Sequence, residues 1–148
     1  MPALVTQGVS VYALRMVGLY DYGHALARFF GRDEDVCVVE HDIESQPGFL
    51  ASYEACPEPW CWHPYDFGNP WHMVAPSLPE WWAPLGHARF RARFVTQAVR
   101  DELATRVWEG IDGQLARLLR HRGILPHLHE GKAMHHHPYP RERLAGWE

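Results

Sequence analysis

The spacing of apolar residues changes several times along the chain, and these changes predict alternating strands and helices. Residues 8–17 are rich in β-branched and aromatic side chains and predict a first strand. Residues 22–30 place apolar side chains on one helical face, with Asp21 as the expected cap and Gly31 as the expected end. The apolar run Val36–Val39 predicts a strand buried on both faces. A helix between two such runs is typical of an α/β domain with parallel strands.

The remaining elements follow from the same criteria and from the positions of proline and glycine. A short helix is expected over 49–55, preceded by Pro47, which suits the first turn of a helix. A strand is expected over 60–63 and a long loop over 64–84. Two further helices are expected near 91–104 and 107–122, and Gly123 would end the second of them. Residues 126–148 have no apolar period, so we expect a polar tail there.

Length and composition limit the classes of protein to consider. The 148 residues, 47% hydrophobic and 22% charged, fit one globular domain over 1–148 with a histidine-rich tail from about 126 to 148. A net charge of −4 argues against a strongly basic nucleic-acid surface. The apolar runs are too short for a membrane span, and no secretory leader is apparent, so we expect a cytoplasmic protein. Three cysteines, an odd number, also favour a reducing compartment, with buried thiols as the expected role.

Tryptophan and proline are concentrated in the middle of the chain. Five of the seven Trp lie between residues 60 and 82, and seven of the twelve Pro lie between residues 57 and 84. Large aromatic residues in a proline-rich loop either pack onto the domain or line a groove for a ligand. We expect the aromatic groove to include Trp60 and Trp62, with Trp71, Trp81 and Trp82 as further candidates.

An acidic motif, Glu40-His41-Asp42, directly follows the predicted strand at residues 36–39. Ligands in open α/β sheets bind beyond the carboxyl ends of the strands. Carboxylates at such a position suit a divalent cation whose shell is completed by phosphate oxygens. The alternative is a solvated acidic loop that caps the next helix.

The tail contains a second set of candidate ligands. His127 and His129 alternate and would point the same way in an extended chain, and a third histidine from residues 135–137 would complete a site. Imidazole suits Zn, Mn, Fe or Ni. One tail histidine could instead bind the same metal as Asp42, and the alternative to both hypotheses is a hydrated polar tail.

Glu109 and Asp112 are three residues apart and share one face of the predicted last helix. Either carboxylate could act as a general base if this helix begins at a cleft, and the alternative is a solvated helix face. The sequence contains no glycine-rich phosphate loop. None of the serines stands in a nucleophile-elbow context, which argues against a serine hydrolase.

Four segments together resemble a known family. They are VVEHDI at 38–43, Pro47-Gly48, CPEPWC at 56–61 and LGHARF at 85–90. These segments are similar to small glycosyltransferase-like proteins of the GT-A, family 2 type, which occur in actinobacteria and their phages. The resemblance covers roughly residues 36–137, and its most specific part runs from the acidic motif to residue 61.

The resemblance implies a minimal GT-A-like (Rossmann-like) three-layer α/β domain with a short, mostly parallel sheet. It implies a metal-dependent enzyme, of the hexosyltransferase type, that uses Mn²⁺ or Mg²⁺. The donor would be a nucleotide-sugar, and the acceptor a glycan, a protein or a modified DNA base. Only about 20 residues separate the first predicted strand from the acidic motif, so the chain would be a minimal version of the fold.

The same resemblance implies roles for individual residues. Asp42 would bind the metal, Glu40 would contact the sugar or ribose, and Asp112 or Glu109 would be the catalytic base. A histidine near the C-terminus would be a further metal ligand, and the candidates are His129, His135 and His137. Two alternatives remain open: a non-catalytic binding module with a degenerate GT-A-like fold, and a zinc- or iron-binding protein that uses the histidine tail.

Overall fold

The computed structural model describes residues 11–65, 79–131 and 133–136. The helices of this part are α1 (Asp21–Phe30), α2 (Phe49–Ala55), α3 (Gln97–Ala104) and α4 (Ile111–Arg120). The strands are β1 (Val36–Val39), β2 (Ile43–Glu44), β3 (Trp60–Trp62), β4 (His87–Phe90), β5 (His127–Leu128) and β6 (Met134–His135). None of the helices described is both long enough and apolar enough to cross a bilayer.

The main sheet has four strands in the order β1-β4-β3-β5, and β2 pairs with β6 separately. Strand β4 is antiparallel to both β1 and β3, whereas β3 and β5 are parallel. The domain is therefore mixed α/β, and the prediction of a mostly parallel sheet does not describe these pairings, two of which out of three are antiparallel. The reason is that β4 begins beside the end of β1, where His87 pairs with Val39, and runs back between its neighbours.

The two faces of this sheet differ in chemistry. Trp60, Trp62, Ala88 and Phe90 lie in one buried apolar cluster together with residues of α1, α3 and α4. Because side chains alternate along a strand, the residues between them point to the opposite face. We call that opposite face the histidine face, and it comprises Cys61, His63, His87, Arg89, His127 and His129. Helix α2 packs on it through Tyr53, whose ring contacts both His63 and His87.

Several local predictions are confirmed. Helix α1 ends at Gly31, and both β1 and α2 have the predicted bounds. Gly123 has a left-handed backbone, with a φ of 73°, just after the last helix, as expected for a residue that ends a helix.

Other local predictions are wrong. Residues 11–17 are exposed and form no strand, while residues 8–10 of that prediction lie outside the described part. Strand β1, at one edge of the sheet, is not buried on both faces, because its side chains alternate between half-buried and exposed. Asp21 does not cap α1; its carboxylate accepts hydrogen bonds from the N–H groups of Val17 and Gly18.

The third and fourth helices begin later than predicted. Residues 91–96 form a connection with a 3₁₀ turn, and the Thr96 hydroxyl accepts a hydrogen bond from the N–H of Val99 at the start of α3. Helix α4 begins after Gly110, whose left-handed backbone has a φ of 72°. Trp108 therefore lies in the turn before the helix and not on its buried face.

We predict that Gly23→Ala destabilises the fold, because α1 and α3 approach each other closely at this glycine. A β-carbon there would lie 2.1 Å from the carbonyl oxygen of Leu103, which is far inside van der Waals contact. We expect the free energy of unfolding, measured in urea, to fall by about 1–3 kcal/mol or more. Gly31→Ala is the control, since its β-carbon would meet nothing closer than 3.4 Å. Equal stability of both variants would contradict this packing.

Candidate functional site

A cavity of about 260 Å³ lies where the end of β1 meets the start of α4. We call it the carboxylate cavity, and its lining residues are Tyr22, Glu40, Tyr65, Trp108, Gly110, Ile111 and Asp112. It brings together Glu40 and Asp112, two carboxylates that sequence analysis predicted as site residues from separate motifs. Tyr22, Tyr65 and Trp108 were not predicted to share a site with them.

The β1–β4 pairing positions Glu40. Its N–H donates to the carbonyl of Gly86 at 2.9 Å, and its carboxylate accepts from the Tyr22 hydroxyl at 3.1 Å. The Tyr65 hydroxyl accepts from the N–H of Gly86 at 3.1 Å. A β-carbon on Gly86 would lie 2.3 Å from that hydroxyl oxygen and 3.1 Å from the Glu40 Oε2. Glycine is therefore the residue that lets Tyr65 and Glu40 approach β4 so closely.

Asp112 is fixed in the first turn of α4. Its Oδ2 accepts a hydrogen bond from the N–H of Leu85 at 3.0 Å. Burial raises the pKa of the Asp112 carboxyl above its usual range, and the Leu85 hydrogen bond only partly opposes this effect. A buried carboxylate with a raised pKa is a stronger base than an exposed one, which suits proton abstraction from a hydroxyl group.

The two tyrosines of the cavity keep their protons. Burial raises the pKa of Tyr22, and the negative charges of Glu40 and Asp112 raise it further. The pKa of Tyr65 is raised in the same way, first by burial and then by Glu40, Asp112 and Asp42. The cavity thus combines two neutral tyrosine hydroxyls with two carboxyl groups, and the Tyr22 hydroxyl donates to Glu40.

Three other predicted residues lie away from this cavity. Glu109 is exposed and does not line it. Trp60 and Trp62 are only 1% and 3% exposed and belong to the apolar core, so their predicted role in a ligand groove is wrong. They occupy the face of β3 that the helices cover, and composition alone does not reveal which face a tryptophan takes. Trp71 lies outside the described residues.

Asp42 lies half-buried between β1 and β2, next to the returning tail. Strand β6 pairs with β2 so that His135 stands opposite Ile43, and the N–H of His136 donates to the Asp42 carbonyl at 2.7 Å. The tail backbone therefore returns to the acidic motif. The structure describes His135 by its backbone alone and His137 lies outside the described residues, so their roles as metal ligands stay predictions.

His129 belongs to the histidine face. Its N–H donates to the Trp62 carbonyl at 2.9 Å, and its ring stacks on His63 with centroids 4.8 Å apart. Possible ligand atoms of Cys56, His127 and His129 all lie within 4.8 Å of one another. Asp42 is not part of this group, so the predicted ligand set that joins Asp42 to His129 is not assembled among the described side chains.

His87 is fully buried at the centre of the histidine face, and sequence analysis missed it. Its Nε2 lies 2.8 Å from the Ser45 hydroxyl, and its Nδ1 lies 2.5 Å from the Tyr53 hydroxyl. Tyr53 also donates to the His87 carbonyl at 2.9 Å. The assignment consistent with this bond has Nδ1–H donating to Tyr53 and Nε2 accepting from Ser45. The network thus gives both nitrogens of this buried, neutral ring a hydrogen-bond partner.

We predict that stability falls with acidification because of this network. Burial, with smaller effects of the neighbouring His63 and His129, lowers the pKa of His87 from 6.5 to about 4. Between pH 6.5 and pH 4, His87 is therefore protonated in the unfolded chain and neutral in the folded chain. The folded state is fully stabilised above pH 6.5, and its free energy of unfolding decreases as the pH falls towards 4. For His87 alone, we expect the free energy of unfolding, measured in urea, to be about 2 kcal/mol lower at about pH 5 than at about pH 7.

His87→Gln should flatten this pH profile, and His121→Gln, at an exposed position, should leave it unchanged. The pKa of His129 is likewise lowered to about 4, mainly by burial, so a smaller slope of the same sign should persist in the His87 variant. A wild-type profile without slope in this range would contradict the buried neutral state of His87.

Comparison with known proteins supplied no relative from which to transfer a function. A scan against protein-family models found no matching family, and searches of curated proteins and of solved structures found no match either. The functional interpretation therefore depends on the chemistry of the carboxylate cavity and of the histidine face.

Proposed function

We propose that the protein is a glycosyltransferase-like enzyme, of the hexosyltransferase type, that transfers a sugar from a nucleotide-sugar to an acceptor hydroxyl at the carboxylate cavity. The observation that supports this proposal is the meeting of Glu40, from the end of β1, with Asp112, from the start of α4, in one cavity. Ligand sites in α/β sheets occur at such strand ends. The segments that resemble the family provide both the acidic motif and the glycine that shapes the cavity.

The lining of the cavity suits a ring with many hydroxyl groups. Glu40 and Asp112 provide carboxylate oxygens, the two tyrosines provide hydroxyl oxygens, and Trp108 offers an aromatic surface against which a sugar ring can pack. The volume of about 260 Å³ is below the roughly 300–1,000 Å³ of sites that enclose a drug-sized ligand. We therefore assign the cavity to a single sugar ring, with the nucleotide outside it.

Asp112 is the proposed general base. Its carboxylate would accept the proton of the acceptor hydroxyl as that oxygen forms a bond to the anomeric carbon. The bond from this carbon to the diphosphate breaks, and the diphosphate leaves with the electron pair. The raised pKa of Asp112 favours this proton transfer, and its hydrogen bond to the Leu85 N–H holds the carboxylate in place.

Asp42 is the proposed ligand of a divalent cation such as Mn²⁺ or Mg²⁺. Its charge makes a small contribution to the raised pKa of Tyr65, a residue that lines the cavity. The return of β6 to β2 brings the backbone of the tail beside Asp42, where the N–H of His136 donates to the Asp42 carbonyl. A cation bound there would neutralise the charge that develops on the leaving diphosphate.

Asp112→Asn should abolish most of the transfer activity, because the amide cannot accept the proton. We expect a loss of at least about 100-fold in turnover with donor binding retained, measured by release of the nucleoside diphosphate and by calorimetry. Glu109→Gln is the matched control, since it removes a carboxylate three residues away that is exposed and outside the cavity. Equal activity in the two variants would contradict the role of Asp112.

Asp42→Asn should weaken binding of a nucleotide-sugar in the presence of Mn²⁺ by at least about tenfold, because one charged oxygen ligand is lost. Calorimetry with Mn²⁺ and a panel of sugar nucleotides measures this effect, with Asp35→Asn as an exposed control. If wild type binds no donor, or binds it as well as the variant does, the donor site is wrong. If a glycan binds equally well to a variant lacking both Glu40 and Asp42, the binding-module alternative replaces the enzyme.

A further inference from the structure

We propose that Cys56, His127 and His129 form a zinc site on the histidine face, separate from the carboxylate cavity. Possible ligand atoms of the three residues already lie within 4.8 Å of one another. Around a tetrahedral zinc ion, sulfur and nitrogen ligands lie roughly 3.3–3.6 Å apart, so the three atoms need to move by only about 1 Å. The exposed side chain of His127 has room for this movement.

The three ligands come from two parts of the backbone, the end of α2 and strand β5 with the residue that follows it. Cys56 follows the last residue of α2, and its carbonyl accepts hydrogen bonds from the guanidinium groups of Arg89, at 3.0 Å, and of Arg91. His127 and His129 flank Leu128 and therefore project from the same side of the chain at β5, which pairs with β3. The site is thus largely arranged before any ion binds.

The hydrogen bonds on the histidine face distinguish ligands from structural histidines. The rings of His63 and His87 are engaged by the hydroxyls of Ser52 and Ser45 at 2.9 and 2.8 Å. The Nε2 of His129 is buried and has no hydrogen-bond partner in the described part of the chain. A buried polar atom without a partner is costly, and coordination of a metal would compensate for it.

The chemical types of the three ligand atoms indicate which metal ion the site would bind. One cysteine sulfur and two imidazole nitrogens suit zinc, whereas Mn²⁺ and Mg²⁺ prefer oxygen ligands such as Asp42. Three protein ligands leave the fourth position for water or another group. Because Cys56 belongs to the end of α2 and the histidines belong to the tail, the ion would anchor the tail to the sheet. This anchoring effect does not depend on the reaction that the cavity performs.

Cobalt substitution in the full-length, untagged protein tests this site. After chelation and dialysis, we expect one equivalent of Co²⁺ to give intense tetrahedral d–d bands and a thiolate-to-cobalt charge-transfer band, and Zn²⁺ to displace it. Loss of a residue that only hydrogen-bonds to a metal ligand lowers metal affinity by about 10–100-fold. Because His127 is itself a proposed ligand, His127→Ala should weaken Co²⁺ binding by at least about 100-fold. Cys56→Ser should remove the charge-transfer band, and Cys37→Ser, at an exposed thiol, should retain it.

Further variants separate this site from other possible metal sites. A variant with alanine at His135, His136 and His137 should keep the cobalt spectrum, and so should Asp42→Asn, which tests the proposed function independently. Absence of the charge-transfer band in wild type, unchanged affinity in His127→Ala, or loss of binding in the triple variant would each overturn the proposal. Since His127 is exposed, its variant gives a result even if Cys56→Ser fails to fold.

Discussion

The alternation of side chains across β3 and β4 is the constraint on which the rest of the molecule depends. Trp60, Trp62, Ala88 and Phe90 turn one face towards three helices, and this burial forms the core. The residues between them are obliged to project the other way, whatever their polarity. Cysteine, histidine and arginine side chains are thereby collected on one surface, where helix α2 and the tail provide hydrogen-bond partners.

Strand β4 links the two candidate sites. The residues just before it, Leu85 and Gly86, bind Asp112 and Tyr65 through their N–H groups and so shape the carboxylate cavity. Within the strand, His87 binds the Ser45 hydroxyl on the histidine face, and Arg89 donates to the carbonyl of Cys56. A shift of β4 by one residue would exchange its two faces and disturb both sites at once, because the side-chain period of a strand is two.

Local signals in the sequence predicted local features well. The bounds of β1 and α2 follow from an apolar run and from Pro47-Gly48. Glu40 was selected because it follows a predicted strand, and Asp112 because it shares a helical face with Glu109 and because the resemblance implies a base there. The roles of Trp60 and Trp62 were wrong because a count of tryptophans carries no information about faces. Tyr22 and Tyr65 belong to no motif, and their approach to Glu40 depends on long-range pairing that no local pattern encodes. The alternation in WCWH and HARF was the available signal for the histidine face.

The short strands of the tail have a consequence for how the molecule opens. Strands β5 and β6 each contain two residues, so few hydrogen bonds hold this segment to the domain. Segments held in this way detach in local fluctuations that leave the helical core intact. Amide hydrogens at residues 127–131 and 133–136 should therefore exchange with solvent far sooner than those of β3 and β4. A ligand that binds both this segment and the core would therefore couple their stabilities.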